Sequence, residues 1–99
     1  MYDCFECGPG WHPLIKDALT RIEALGNANL AVVQVKEKFG GLRIYLSLRN
    51  DEADAIIAAA EEEALKTCEE CGSKVSVELR GGGWLRTLCS LCEEKRKKR

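Results

Sequence analysis

Six cysteines fall as three C-x-x-C pairs, Cys4/Cys7, Cys68/Cys71 and Cys89/Cys92. Nothing else restricts the fold as strongly. A chain of 99 residues lies near the size at which a hydrophobic core alone becomes marginal, and a staple relieves that shortage. Six cysteines could instead form a disulfide scaffold. The chain, however, opens without a cationic stretch followed by an apolar run, so a secretory signal is not expected. Reduced thiolates in the cytoplasm, arranged for metal, are the better reading of C-x-x-C pairs.

Cys68-x2-Cys71 and Cys89-x2-Cys92 are separated by 17 residues, a gap typical of zinc sites. It is long enough for a hairpin that returns the second pair beside the first. Zinc takes four N or S ligands in a tetrahedron, and thiolates suit it. Gly72, directly after Cys71, fits a knuckle whose amides turn toward sulfur. The expected metal ligands are therefore Cys68, Cys71, Cys89 and Cys92, holding one Zn2+ per chain. Four protein ligands leave no position for an activated water, which makes the ion structural. A thioredoxin-like redox pair would sit at a helix start after a strand, a setting that neither pair clearly has in the sequence.

The opening pair is ambiguous. Cys4, Cys7 and His12 make a second metal set that is one ligand short, with Asp3, Glu6, water or a partner left to complete it. Such an open site would be the one candidate catalytic centre. The competing and preferred reading makes Cys7 a small buried apolar residue and Cys4 an incidental neighbour. A dithiol, or a mixed set shared with one C-terminal pair, is a third alternative.

Around the cysteines the patterning is α+β. Leu14, Ile15, Ala18, Leu19, Ile22 and Leu25 recur at helical spacing after Pro13, and Gly26-Asn27 supplies a stop. Val33 and Val35, then Leu42, Ile44, Leu46 and Leu48, alternate with polar residues, so two strands are expected with Gly40-Gly41 as their turn. Asn50 and Asp51 begin a second helix with Ala53, Ile56, Ile57, Ala60 and Ala64 on its apolar stripe. Glu61, Glu62 and Glu63 read as solvated. A strand through Val75, Val77 and Leu79, a break at Gly81-Gly82-Gly83 and a return from Trp84 to Leu88 complete the ribbon. The expected order is helix, β-hairpin, helix, then a C-terminal Cys4 zinc ribbon. Residues 1–66 form the small α+β unit with its opening loop, 67–92 the ribbon, and 93–99 a basic tail. Trp11 and Trp84 are both expected in the core.

Net charge is −1, and without the five basic residues Lys95–Arg99 it would be −6. The whole molecule therefore offers no argument for nucleic acid. The hairpin's polar face is different: Gln34, Lys36, Lys38, Arg43, Tyr45 and Arg49 set basic groups around an aromatic. That face is either a solvated sheet surface, a partner-binding surface, or a grip for a phosphate backbone together with the tail. Glu37 falls on the apolar register and stands out. No Ser-His-Asp grouping, P-loop or H-E-x-x-H is present, which argues against an enzyme. No apolar run is long enough to span a membrane.

The runs CGPGWHPLI (Cys7–Ile15), VKEKFGGLRIY (Val35–Tyr45), TCEECG (Thr67–Gly72) and GWLRTLC (Gly83–Cys89) resemble a family of small, largely uncharacterised bacterial and phage proteins. The resemblance spans nearly the whole chain. It implies origin rather than an activity. Cys4 and the basic tail lie outside the shared pattern, which favours the incidental reading of Cys4. Together these features suggest a non-enzymatic zinc-stabilised module that docks on a protein, of a phage type that inhibits or regulates a host complex. Direct nucleic-acid binding by the basic hairpin face and tail is the alternative.

Overall fold

The computed structural model describes residues 3–81 and 84–97. Met1, Tyr2, Gly82, Gly83, Lys98 and Arg99 lie outside them, and with them part of the expected glycine turn and of the tail. The elements run β1 (Phe5–Glu6), a 3-10 turn (Pro9–Trp11), α1 (His12–Glu23), β2 (Val32–Lys38), β3 (Gly41–Leu46), α2 (Asp51–Ala64), β4 (Val77–Arg80), β5 (Arg86–Cys89) and α3 (Ser90–Lys97). The fold is α+β, as expected. Among the described residues no helix is long and apolar enough to cross a membrane.

The helical spacing translates into burial. Ile15, Ala18, Leu19 and Ile22 of α1 are buried, as are Ala53, Ile57, Ala60 and Ala64 of α2, and the two helices pack together. The alanines keep α2 close to its neighbours. Asn50, rather than Asp51, caps α2: its Oδ1 accepts the Ala53 amide at 2.9 Å. Asp51, Glu52 and Asp54 in the first turn complement the positive helix end. All three glutamates read as solvated have partners, Glu62 only an exposed one, Lys66 at 4.0 Å. Glu61 Oε2 accepts the Ile44 amide of β3 at 3.3 Å, and Glu63 pairs with Lys74.

The first sheet has the order β1-β2-β3, and Val35, Leu42 and Ile44 on its inner face join the helices in one core. Three details depart from the sequence pattern. First, β1 is a two-residue strand, parallel to β2 with Phe5 opposite Val35, where a loop was expected. Second, the pairing shifts between Val32 and Gln34. Val33 is the extra residue of a bulge and lies 53% exposed, while Val32 takes its inward place. Third, the turn is Phe39-Gly40, not Gly40-Gly41, because Lys38 already pairs with Gly41. Both turn residues have positive φ, 53° and 81°, which matches the twist of a two-residue hairpin. The anomalous Glu37 explains how Phe39 tolerates it: its Oε2 accepts the Gly40 amide at 2.7 Å, while Thr87 Oγ1 donates to the Gly40 carbonyl at 2.6 Å.

The second sheet is the β4-β5 hairpin, with Val77 opposite Cys89 and Leu79 opposite Thr87. It starts at Val77 rather than Val75, because Ser76 has φ 54° and interrupts the extended chain. Residues 93–97 are not a separate tail: they continue α3, where Glu93 is buried and paired with Arg96 at 3.1 Å.

The hairpin tip and the opening loop join the two lobes. The indole Nε1 of Trp11, fully buried, donates to the carbonyls of Ala64 (3.1 Å) and Thr67 (2.8 Å). Gly10 donates its amide to the Glu69 carbonyl at 2.7 Å. A Cβ on Gly10 would overlap the Cys68 carbonyl and the Gly72 amide, so this approach admits only glycine. Trp84 departs from expectation: it is 73% exposed rather than in the core. It lies in the chain between β4 and β5, with most of its surface open among the described residues.

Candidate metal centre

Each C-x-x-C pair is positioned by a different device. After α2, Thr67 Oγ1 donates to the Glu63 carbonyl and closes the helix end. The chain then folds into a knuckle: Cys68 N donates to Ser73 O at 2.8 Å and Gly72 N to Cys68 O at 2.9 Å. Gly72 sits at φ 81°, a conformation glycine adopts freely. The second pair straddles a junction, with Cys89 ending β5 and Cys92 in the first turn of α3. This corrects one sequence expectation, since strand–C-x-x-C–helix is the setting that neither pair was expected to have. The pair's sulfurs lie beside those of Cys68 and Cys71.

The four sulfurs lie within 4.8 Å of one another, and Cys71 Sγ to Cys89 Sγ is 3.7 Å. A tetrahedron with Zn–S arms of ~2.3 Å has edges of about 3.8 Å. Cys68 and Cys89 are buried, Cys92 half-buried and Cys71 exposed. Leu88, with Val77 partly buried beside it, is the main apolar cover.

The electrostatics also fit a cation. Burial raises the Cys68 thiol, but the amides of Cys71, Cys89 and Glu70 and the Cys92 side chain outweigh it and bring Cys68 down to about 7. Cys92 moves the other way, raised by burial and by the sulfurs of Cys68, Cys89 and Cys71. Cys71 accepts the Ser73 amide, which lowers it, yet burial and the sulfurs of Cys68 and Cys89 raise it in net. One thiolate is prepared at Cys68, and Cys71 and Cys92 resist joining it in the same small space. A divalent ion removes that conflict. Arg86, Lys95 and Arg96, together with Glu70, line a recess of about 310 Å³ beside Cys71 and Cys92. Four cysteines so arranged can hold one metal ion.

Glu69, between the two cysteines of the first knuckle, was not singled out by sequence reasoning. It is 3% exposed. Its Oε2 accepts the Gly8 amide at 2.8 Å and its Oε1 lies 3.6 Å from Arg86 Nε. It ties the opening loop to the ribbon. A buried Glu inside C-E-E-C carries no sequence signal; the GPG that meets it does, as a demand for close backbone approach.

The opening cysteines do not form a comparable set. Among the described residues the C-terminal quartet is the one group of three or more metal-type side chains with ligand atoms in mutual reach. Cys4 is exposed. Cys7 is half-buried, and burial, then the charges of Glu69 and Glu37, push its thiol up to about 12, where it stays protonated and ligates poorly. His12 begins α1 with its ring edge-on to Phe5 at 5.2 Å.

Of the proposed partner-binding residues, register brings four to one face: Lys36 lies opposite Arg43, and Tyr45 opposite Gln34 with the Lys36 Nζ 5.7 Å from its ring. Lys38 follows on the same side of β2. Arg49 does not belong to this face, because β3 ends at Leu46 and Arg49 lies in the link to α2. No family model, curated protein or solved structure matches the chain.

Proposed function

We propose that this protein is a non-enzymatic, zinc-stabilised docking module whose partner is another protein. One Zn2+ held by Cys68, Cys71, Cys89 and Cys92 makes the ribbon rigid and uses all four of its ligand positions. A thiolate site of this kind suits a reducing compartment such as the cytoplasm. The resemblance to bacterial and phage proteins makes inhibition or regulation of a host complex the biological setting we favour.

The observation that carries this reading is the apolar seam between hairpin tip and ribbon. Phe39 and Trp84 are each 73% exposed, and Leu79 beside them is 51% exposed. Gly40 packs against Leu79 and the Leu85 backbone, so Phe39 and Trp84, the chain neighbours of Gly40 and Leu85, flank one contact. Phe39 holds this exposed place at positive φ, a strain of about 1 kcal/mol or more that persists only where the surroundings enforce it. Exposed Trp and Phe on a rigid support have the character of interface anchors.

The test uses the full-length chain. Elemental analysis should find one zinc per molecule, and a captured host protein should survive high salt. Trp84→Ala and Phe39→Ala should each weaken that capture about 30-fold or more without loss of metal. A metal-free folded protein, or capture indifferent to both substitutions, overturns the reading.

A further inference from the structure

The outer face of the β1-β2-β3 sheet carries a second surface. Both long helices pack on the inner face. Among the described residues no ion pair involves Lys36, Lys38 or Arg43. The other basic side chains near the sheet–ribbon seam differ: Arg80, Arg86 and Arg96 all have carboxylate partners. Three cations without ion pairs on one small face make a local basic patch on a net-acidic chain. The two nearest acids form no ion pair with these cations, although Glu6 is the register partner of Lys36 and shares its face. Glu37 faces the turn and accepts the Gly40 amide, and Glu6, at the β1 edge, accepts from Gln34 Nε2 at 3.2 Å.

The arrangement selects among anionic partners. Lys36 and Lys38 stand two residues apart along β2, about 7 Å by strand rise, with Arg43 directly across from Lys36. That is a row of cations, suited to a repeating charge. Lys36 and Arg43 are half-buried, so their stems lie against the sheet. Arg43 spends one N–H on the Leu42 carbonyl at 3.0 Å and keeps others free. At the end of the row stands Tyr45, 38% exposed, opposite the amide of Gln34. An acidic peptide would use the cations and leave the ring idle. A duplex would keep its bases stacked away from it. A single strand offers phosphates to the row and an unstacked base to the ring.

We infer that this sheet face binds single-stranded nucleic acid, with Lys36, Lys38 and Arg43 on consecutive phosphates and Tyr45 stacking a base. The surface meets the Trp84/Phe39 seam at Lys38, whose Nζ lies 5.7 Å from the Phe39 ring, so Trp84→Ala is the variant that tells the two assignments apart.

The probe is a fluorescently labelled 12-nucleotide oligothymidine, titrated with the zinc-loaded full chain across a salt series. Affinity should fall steeply with salt. Replacing Lys36, Lys38 and Arg43 together by Gln should reduce the log–log salt slope by about 2, at ~0.7 per single-strand phosphate contact. Tyr45→Leu should weaken binding about tenfold and leave the slope unchanged. Trp84→Ala should change neither. Unaltered zinc content and far-UV dichroism confirm that each variant folds. Absence of binding by the wild type overturns the inference. So does a slope that responds to Lys95→Gln/Lys97→Gln but not to the sheet variant, which would assign the effect to α3. Equal affinity for polyglutamate, insensitive to Tyr45→Leu, would reassign the face to an acidic protein segment and also overturn it.

Discussion

The two lobes are held together by different physics. The helix–sheet lobe buries twelve apolar residues in one cluster, at roughly 1.5–3 kcal/mol for each large side chain removed from water. The ribbon lobe buries Leu88 and two cysteines, with Val77 and Cys92 partly covered. Its β4 strand leaves Leu79 half-exposed, and Leu91 at the start of α3 is also exposed. By area alone the second lobe should not fold. The comparison teaches that the sulfurs stand where that lobe's core would be: a zinc ion bound by all four would supply an apparent ~10–16 kcal/mol, comparable to the whole stability of a small domain.

The largest predicted effect follows. Cys89→Ser, or a strong chelator on the wild type, should abolish metal binding and collapse β4, β5 and α3, while α1, α2 and the first sheet persist. Amide NMR spectra recorded with and without chelator would show dispersion lost from residues 68–97 and kept for the body. If the body unfolds in step, the two lobes are one cooperative unit and the comparison fails.

The seam is where that independence is most exposed to challenge. Trp11 lies in the body's core yet donates its one N–H to both Ala64 and Thr67, one residue short of the first metal ligand. Trp11→Phe keeps most of the apolar volume and leaves the Thr67 carbonyl without its donor, while the Ala64 carbonyl keeps the Thr67 amide at 3.1 Å. It should cost about 2–3 kcal/mol in urea denaturation at saturating zinc and should also weaken zinc affinity by orienting Cys68 less firmly. A stability loss with no change in metal affinity would mean the seam transmits nothing.

The same contrast explains what the sequence made legible. Spacing is covalent information, so the four ligands could be read directly: Cys68 and Cys71 must meet Cys89 and Cys92 if any hairpin closes the gap. The helices were legible because Ile15, Leu19 and Ile22, or Ala53, Ile57 and Ala64, repeat over several turns. What escaped was whatever depends on a partner distant in the chain. A two-residue strand such as Phe5–Glu6 has no period to detect, and only β2 makes it a strand. The bulge at Val33 exists because Leu46 and Tyr45 impose a pairing that the alternation of Val33 and Val35 contradicts. Phe39 lacks the small polar character of a turn residue; Glu37 and Thr87 hold it there from opposite sides. Trp84 reads as core by type and is exposed by position. The basic run from Lys95 reads as a tail because the one buried side chain that anchors it to the fold as a helix, Glu93, is itself charged.

The smallest effect gives the finest test of the division of labour, because it acts on the body alone. Asn50 caps α2 from the end far from the metal: its side chain takes the Ala53 amide, and its carbonyl accepts from Asp54 N at 2.8 Å. Asn50→Ala removes the first bond and keeps the second, which should lower the stability of the body by about 1 kcal/mol. The capped end starts a helix whose other end leads directly into Cys68, so two outcomes are distinct. If α2 behaves as a rigid rod, fraying at Asn50 stays within its first turn, and zinc affinity measured by competition with a chromophoric chelator is unchanged. If the loss propagates through Ala60 and Ala64 to the Thr67 turn, zinc affinity falls in proportion. We expect the first outcome. Three acidic residues in the opening turn and the burial of Ala53 and Ile57 hold the helix past its frayed end, and the knuckle is fixed by its own Cys68–Ser73 and Gly72–Cys68 bonds.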